Sequence, residues 1–123
     1  MKQEHPCISA LKLAIIQLRN RINFYRGQPV RSKIEALNRA SRGVSDALDM
    51  LVHVHHGLIT RTLLKSAIGV LAGAAKILDE RRPIRHGLNL RWFVAVKRAM
   101  KSRYEQFLVL LGEGRAAYQA MLT

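Results

Sequence analysis

The residues of this sequence best suited to chemistry are its arginines and lysines, which gather in two segments free of acidic side chains. Six of them lie between Glu4 and Glu35, and eight lie between Glu80 and Glu105. Because a guanidinium group is planar, it can bind a phosphate through two parallel hydrogen bonds. The pattern therefore predicts contacts to the phosphates of DNA or RNA. The predicted contact residues are Arg26, Arg31, Lys33, Arg81, Arg82, Arg85, Arg91, Trp92, Arg98 and Lys101.

Trp92, the only tryptophan, stands within the second basic segment. An indole ring there can stack on a nucleobase or insert at a base step. The alternative, which the sequence favours, is that Trp92 packs at the edge of its helix. A dense basic helix face can likewise be no more than a solvated surface, so these readings stay open at this point.

Histidines form the second chemically interesting group. His53, His55 and His56 end one predicted helix, and His5 lies near the N-terminus beside Cys7. Imidazole and thiolate are common ligands of transition metals. A histidine-rich helix end is also an ordinary polar surface, so we predict no native metal site and no cofactor. His5, His53, His55 and His56 are the side chains to test as ligands.

Catalytic patterns are missing from the sequence. It contains no HExxH, GxSxG, Walker or GxGxxG motif, and its eight carboxylates are scattered. The single cysteine, Cys7, excludes an intrachain disulfide and a CxxC motif, which fits a reducing compartment. We therefore expect a cytoplasmic protein that is not an enzyme.

Apolar residues spaced alternately by three and four predict the helices that would hold these side chains. The first helix begins near Pro6 and ends before Gly27 and Pro29. The second extends from about 31 to 56 and opens with a capping box formed by Ser32 and Glu35. The apolar stripe of the first helix comprises Ile8, Leu11, Ile15, Leu18, Ile22 and Tyr25. The stripe of the second comprises Ile34, Leu37, Ser41, Val44, Leu48, Leu51 and His55.

Two further helices follow the same rule. Thr60 is the predicted N-cap of the third and Asn89 that of the fourth. Their stripes comprise Leu64, Ala67, Leu71, Ala74, Leu78, Phe93, Val96, Met100, Tyr104, Phe107 and Leu111. Ala117, Tyr118 and Met121 either continue the fourth stripe or form a short fifth helix at the C-terminal end.

Helices joined by short connections pack as antiparallel neighbours. The sequence therefore predicts an all-α fold, a four-helix up-down-up-down bundle that uses residues 1–123 as a single domain. In such a bundle the first and third connections meet at one end, which we call the basic pole, and the histidines lie at the opposite end. No run of apolar residues is long enough to span a membrane, and no signal peptide is visible.

The overall charge agrees with an anionic partner. Twenty-one lysines and arginines against eight acidic residues give a net charge of +13 and an isoelectric point near 11.1. Positive charges in such excess repel one another and destabilise the compact state unless an anionic partner neutralises them. The leading hypothesis is a non-enzymatic nucleic-acid-binding protein with little base readout. The alternative is a protein-interaction module, such as an inhibitor, adaptor or assembly factor, that docks on an acidic or nucleic-acid-containing partner, and a homo-oligomer is compatible with either hypothesis.

Overall fold

The computed structural model describes residues 4–25, 31–80 and 90–112. These residues form four α-helices, α1 (Pro6–Phe24), α2 (Arg31–His53), α3 (Arg61–Glu80) and α4 (Leu90–Leu108). Short 3-10 helices at His56–Leu58 and Val109–Leu111 follow α2 and α4. The predicted all-α bundle is therefore confirmed, and the described part of the chain contains no β-strand.

Side chains fix the starts of two helices. At α1, Pro6 occupies the first turn, where its missing N–H costs nothing. The His5 imidazole caps this helix, because its Nδ1 accepts a hydrogen bond from the Cys7 backbone N–H at 3.1 Å. At α3, Thr60 Oγ1 accepts from the Leu63 N–H at 3.1 Å, so the predicted Thr60 cap is confirmed.

The second helix differs from its prediction at both ends. Ser32 lies inside α2 and is not its N-cap, since the helix already includes Arg31. The Glu35 carboxylate accepts a hydrogen bond from Arg31 Nε at 2.9 Å, one helical turn away. The predicted capping box at Ser32 and Glu35 is thus replaced by an ion pair. At the other end α2 stops at His53, and the chain turns before the short 3-10 helix.

The core consists of the predicted stripes. All eleven stripe residues named for the third and fourth helices are buried, and so are Leu11, Leu18, Ile34, Leu37, Leu48 and Leu51. Ile8 and Ile22 pack against this core while remaining partly exposed. Asn89, Ala117, Tyr118 and Met121 lie outside the described residues, so the question of a fifth helix stays a prediction.

The helices alternate in direction as predicted. The His5 and His55 rings lie 4.8 Å apart, which places the start of α1 beside the end of α2. The Arg31 guanidinium lies 4.8 Å from the ring centre of Trp92, which places the starts of α2 and α4 side by side. Helix α1 packs on α2 and α3, and α4 packs on α3 and α2. Because α2 and α4 are parallel and in contact, a cleft opens between them toward the basic pole.

Among the described residues, no helix combines the length and the hydrophobicity needed to cross a bilayer.

Candidate nucleic-acid interface

Six of the ten predicted contact residues fall in the described part of the chain. Arg26, Arg81, Arg82 and Arg85 lie outside it. Of the other six, Arg31 and Trp92 are in contact, and Arg91 follows at the start of α4. The remaining three are exposed Lys33 and Arg98, and partly buried Lys101.

Trp92 is partly buried and packs against the core, which agrees with the packing alternative considered from the sequence. The Arg31 guanidinium lies over its ring, in a cation–π contact that contributes about 0.5–1 kcal/mol at an exposed site. Arg31 is held in place by Glu35. One side of the indole is therefore covered by a cation that is itself exposed at the basic pole.

A cleft runs between α2 and α4 next to this pair. It has a volume of about 190 Å³, enough for several water molecules or a phosphate-sized anion. We call it the α2–α4 cleft. Its lining residues are Glu35, Asn38, Arg39, Arg42 and Trp92.

Arg103 ties α4 to α2 beside this cleft. Its Nη1 donates to Asn38 Oδ1 at 2.8 Å and to Ser41 Oγ at 3.2 Å. Burial lowers the pKa of Arg103, and the positive charge of Arg42 lowers it further, whereas Asp46 acts in the opposite direction. Two guanidinium groups from facing helices therefore repel each other here, and the hydrogen bonds hold one of them in place.

Four exposed arginines of α2 and α4 have no partner among the described residues. Arg39 and Arg42 lie on α2, and Arg91 and Arg98 lie seven residues apart on α4. Within residues 4–25, 31–80 and 90–112, none of the four donates a hydrogen bond or forms an ion pair. Their donors are available to an anion from solution.

Lys101, one of the predicted contact residues, forms an ion pair with an acidic side chain of α3. Its Nζ lies 2.8 Å from Asp79 Oδ1 at the end of α3, and Lys97 Nζ lies 3.5 Å from the same oxygen. The hydrogen bond from Lys101 lowers the pKa of Asp79. Lys101 thus lies with Lys97 on the flank of α4 that faces α3.

Sequence reasoning missed Arg39, Arg42 and Arg103. The available signal was a polar stripe on α2, in which Arg31, Glu35, Asn38 and Arg42 recur at spacings of three and four beside the apolar stripe. Such a stripe predicts contact with a neighbouring helix at the edge of the core. It does not reveal which helix that neighbour is.

At the end opposite the basic pole, His5 lies beside His55, as predicted. However, His5 Nδ1 is engaged in capping α1, and His53 Nε2 faces Asp49 Oδ1 at 3.7 Å. In the portion that the structure describes, no cluster of three or more His, Cys, Asp or Glu side chains could hold a metal ion. The metal question raised by His5, His53, His55 and His56 stays a prediction.

The arrangement that remains is a basic cleft with an aromatic edge. It offers guanidinium groups to phosphates and an indole to a base or sugar. Comparisons with models of protein families, with curated proteins and with solved structures give no match for this chain.

Proposed function

We propose that this protein binds nucleic acid, without catalysing a reaction, by contacting phosphates at the α2–α4 cleft and along the exposed arginines of α2 and α4. The observation that carries this proposal is the environment of Arg39 and Arg42. Both line a cleft beside Trp92, and the only carboxylate lining the described cleft, that of Glu35, is already bonded to Arg31. A phosphate in the cleft would therefore meet two arginines that have no ion-pair partner among the described residues.

Electrostatics supply a reason for an anion to bind there. Arg42 and Arg103 are close enough for one to lower the pKa of the other. A phosphate placed between like charges converts their repulsion into two attractions. Because Asn38 and Ser41 already fix Arg103, little side-chain freedom is lost when the anion binds.

The expected specificity is low. Arginine contacts to phosphates position a protein on a nucleic acid without reading its bases. Trp92 adds an apolar edge that a base of a single strand can contact, whereas bases within a duplex are stacked and less accessible. We therefore propose a cytoplasmic protein that prefers single-stranded DNA or RNA and has little sequence preference.

Fluorescence anisotropy with labelled 20-nucleotide DNA and RNA strands at about 50 mM salt tests the proposal. The critical variant combines Arg39→Glu with Arg42→Glu. A charge-matched control combines Arg61→Glu with Lys65→Glu, two exposed positions in the first two turns of α3 at the opposite end. Acidic residues suit the N-terminal end of a helix because of the helix dipole, so the control fold should persist.

The cleft variant should lose at least about tenfold in affinity, equivalent to 1.4 kcal/mol, and the control should lose much less. Trp92 fluorescence should change as the strand binds. Equal losses in the two variants would show diffuse attraction to a basic surface and no site. Failure of the wild-type protein to bind any strand would reject the proposal and leave an acidic protein as the partner.

A further inference from the structure

The outer surface between α1 and α2 carries a second regular stripe, on the side away from the core. On each helix the members recur at spacings of three and four. They comprise Ala10, Leu13, Gln17, Asn20 and Phe24 on α1, and Ala36, Ala40, Gly43, Ala47, Met50 and Val54 on α2 or directly after it. Since the two helices are antiparallel neighbours, these stripes border one continuous groove.

Small residues form the floor of this groove. The structure outlines a volume of about 460 Å³ at its Phe24 end, bounded among others by Ala36, Ala40 and Gly43. A Cβ placed on Gly43 would have no atom within 4 Å. We call this feature the α1–α2 groove. Small side chains at the contact allow a neighbouring helix to approach closely.

Large apolar side chains on the two stripes are exposed. Phe24 is 73% exposed and Leu13 is 55% exposed on α1, and Met50 and Val54 are 48% and 60% exposed at the other end. Isolated exposed apolar residues are ordinary, but a row of them along a groove is typical of a binding surface.

The charge of the groove restricts what could cover it. At its Phe24 end Arg21 and Arg39 line it, and no acidic side chain among the described residues lines this end. Neither arginine has a hydrogen bond or ion pair within the part of the chain that the structure describes. A fitting partner therefore combines apolar side chains with carboxylates.

We infer that the α1–α2 groove is a docking site for an acidic amphipathic helix of another protein. Such a helix lays its apolar stripe into a groove between two helices, and its flanking carboxylates meet Arg21 and Arg39. A second copy of this chain is a poorer occupant. It would bring like arginines together on molecules that each carry a net charge of +13.

This inference goes beyond nucleic-acid binding and is separable from it. Gly43 lines the groove but not the α2–α4 cleft. Filling the groove at Gly43 should therefore leave strand binding intact. Because Arg39 lines both features, Arg42→Glu alone, at a residue that lines the cleft but not the groove, tests the nucleic-acid proposal separately.

Two labelled synthetic peptides of 18 residues serve as probes, with binding followed by fluorescence anisotropy. One has leucines at spacings of three and four flanked by glutamates, and the other has the same composition in scrambled order. Gly43→Leu fills the groove. Gly69→Leu is the matched control, because Gly69 is also an exposed helical glycine with no atom within 4 Å of an added Cβ.

The amphipathic peptide should bind the wild-type protein and the Gly69→Leu variant equally. It should bind Gly43→Leu at least about tenfold more weakly, since a new side chain occupies the space of an apolar anchor. The scrambled peptide should bind at least about tenfold more weakly than the amphipathic one. Equal binding of both peptides, no binding of either, or no effect of Gly43→Leu would overturn the inference. A wild-type dimer that Gly43→Leu dissociates in sedimentation would also overturn it, in favour of a second copy.

Discussion

Arg103 combines a structural and an electrostatic role in one side chain. It is partly buried, bonds two polar groups of α2 and faces a second arginine. Replacing a cation in this position removes hydrogen bonds and also removes a repulsion. Arg103 stabilises the fold only if its hydrogen bonds contribute more than the repulsion costs.

We expect Arg103→Met to destabilise the protein by about 1–3 kcal/mol, because buried Ser41 and half-buried Asn38 lose their donor. Urea unfolding followed by circular dichroism measures the change. Arg98→Met, at an exposed site on the same helix without such bonds, should stay within about 0.5 kcal/mol of the wild type. A more stable Arg103→Met protein would mean that repulsion from Arg42 outweighs the hydrogen bonds.

At the scale of single residues, the sequence predicted only part of the candidate nucleic-acid interface. It placed Arg31 and Trp92 at one end of the bundle, because both follow connections that meet there, and the structure brings them into contact. It did not reveal Arg42 and Arg103. An arginine beside an apolar stripe looks the same in a sequence whether it faces solvent or a neighbouring helix.

Asp79 joins two elements, because it accepts from Lys101 and lies beside Lys97 across the α3–α4 interface. The hydrogen bond lowers the folded-state pKa of Asp79 below its ordinary value. A carboxyl with a depressed pKa stabilises the fold above the unfolded-state pKa, and this stability is lost as the pH falls through the folded-state pKa. The interaction is partly exposed and is therefore screened.

Asp79→Asn should lower the free energy of unfolding by about 0.5 kcal/mol at pH 7. The deficit should shrink once the pH falls below the folded-state pKa, because Asp79 of the wild type is then neutral too. It should also shrink in high salt. Urea unfolding curves of both proteins at several pH values check this expectation, and a deficit that is constant with pH would contradict the ion-pair explanation.

The core stripes give a prediction about packing. Leu48 of α2 and Leu71 of α3 are both fully buried. Leu48→Ala and Leu71→Ala should each cost about 2–5 kcal/mol, through lost burial and the cavity left behind. Leu13→Ala is the control, since Leu13 is 55% exposed, and should change stability by no more than about 0.5 kcal/mol. If thermal unfolding shows that Leu13→Ala destabilises the protein as much as the core variants do, our assignment of the inward-facing residues is wrong.

Helix identity and inward faces were predictable because the apolar period repeats over many turns. Helix ends depend on one or two side chains, and the cap that the sequence predicted for α2 was wrong. Ser32 and Glu35 match a capping box, yet α2 already includes Arg31. At α1 the cap is His5, a residue type that seldom caps helices. At the start of α2, the ion pair between Arg31 and Glu35 takes the place of the predicted cap.

At the scale of the whole molecule, charge dominates the expected behaviour. If about five to eight phosphates are contacted, log K should fall with log salt at about −0.7 per phosphate on the single strands that we expect the protein to prefer. Affinity should then drop by about 10²–10³ between 50 and 200 mM salt. Anisotropy titrations across that range measure the slope. A nearly flat salt dependence would contradict phosphate contacts as the source of binding.

The sequence predicted the alternating helix directions, because short connections favour antiparallel neighbours. It did not predict that α2 and α4, which run in parallel, would touch and form a cleft. An apolar stripe specifies which face of a helix is inward. It does not specify which helix lies beside that face, because this depends on how residues of different size interlock across the core.

The packing of the helices also implies an order of assembly. Contacts are most extensive within the α1–α2 and α3–α4 pairs, and pairs joined by short connections form early because closing a short loop costs little entropy. Both walls of the α1–α2 groove belong to the first pair, so a growing chain can build them before α3 and α4 are synthesised. The walls of the α2–α4 cleft belong to different pairs. The α2–α4 cleft can therefore form only when the two helix pairs pack together.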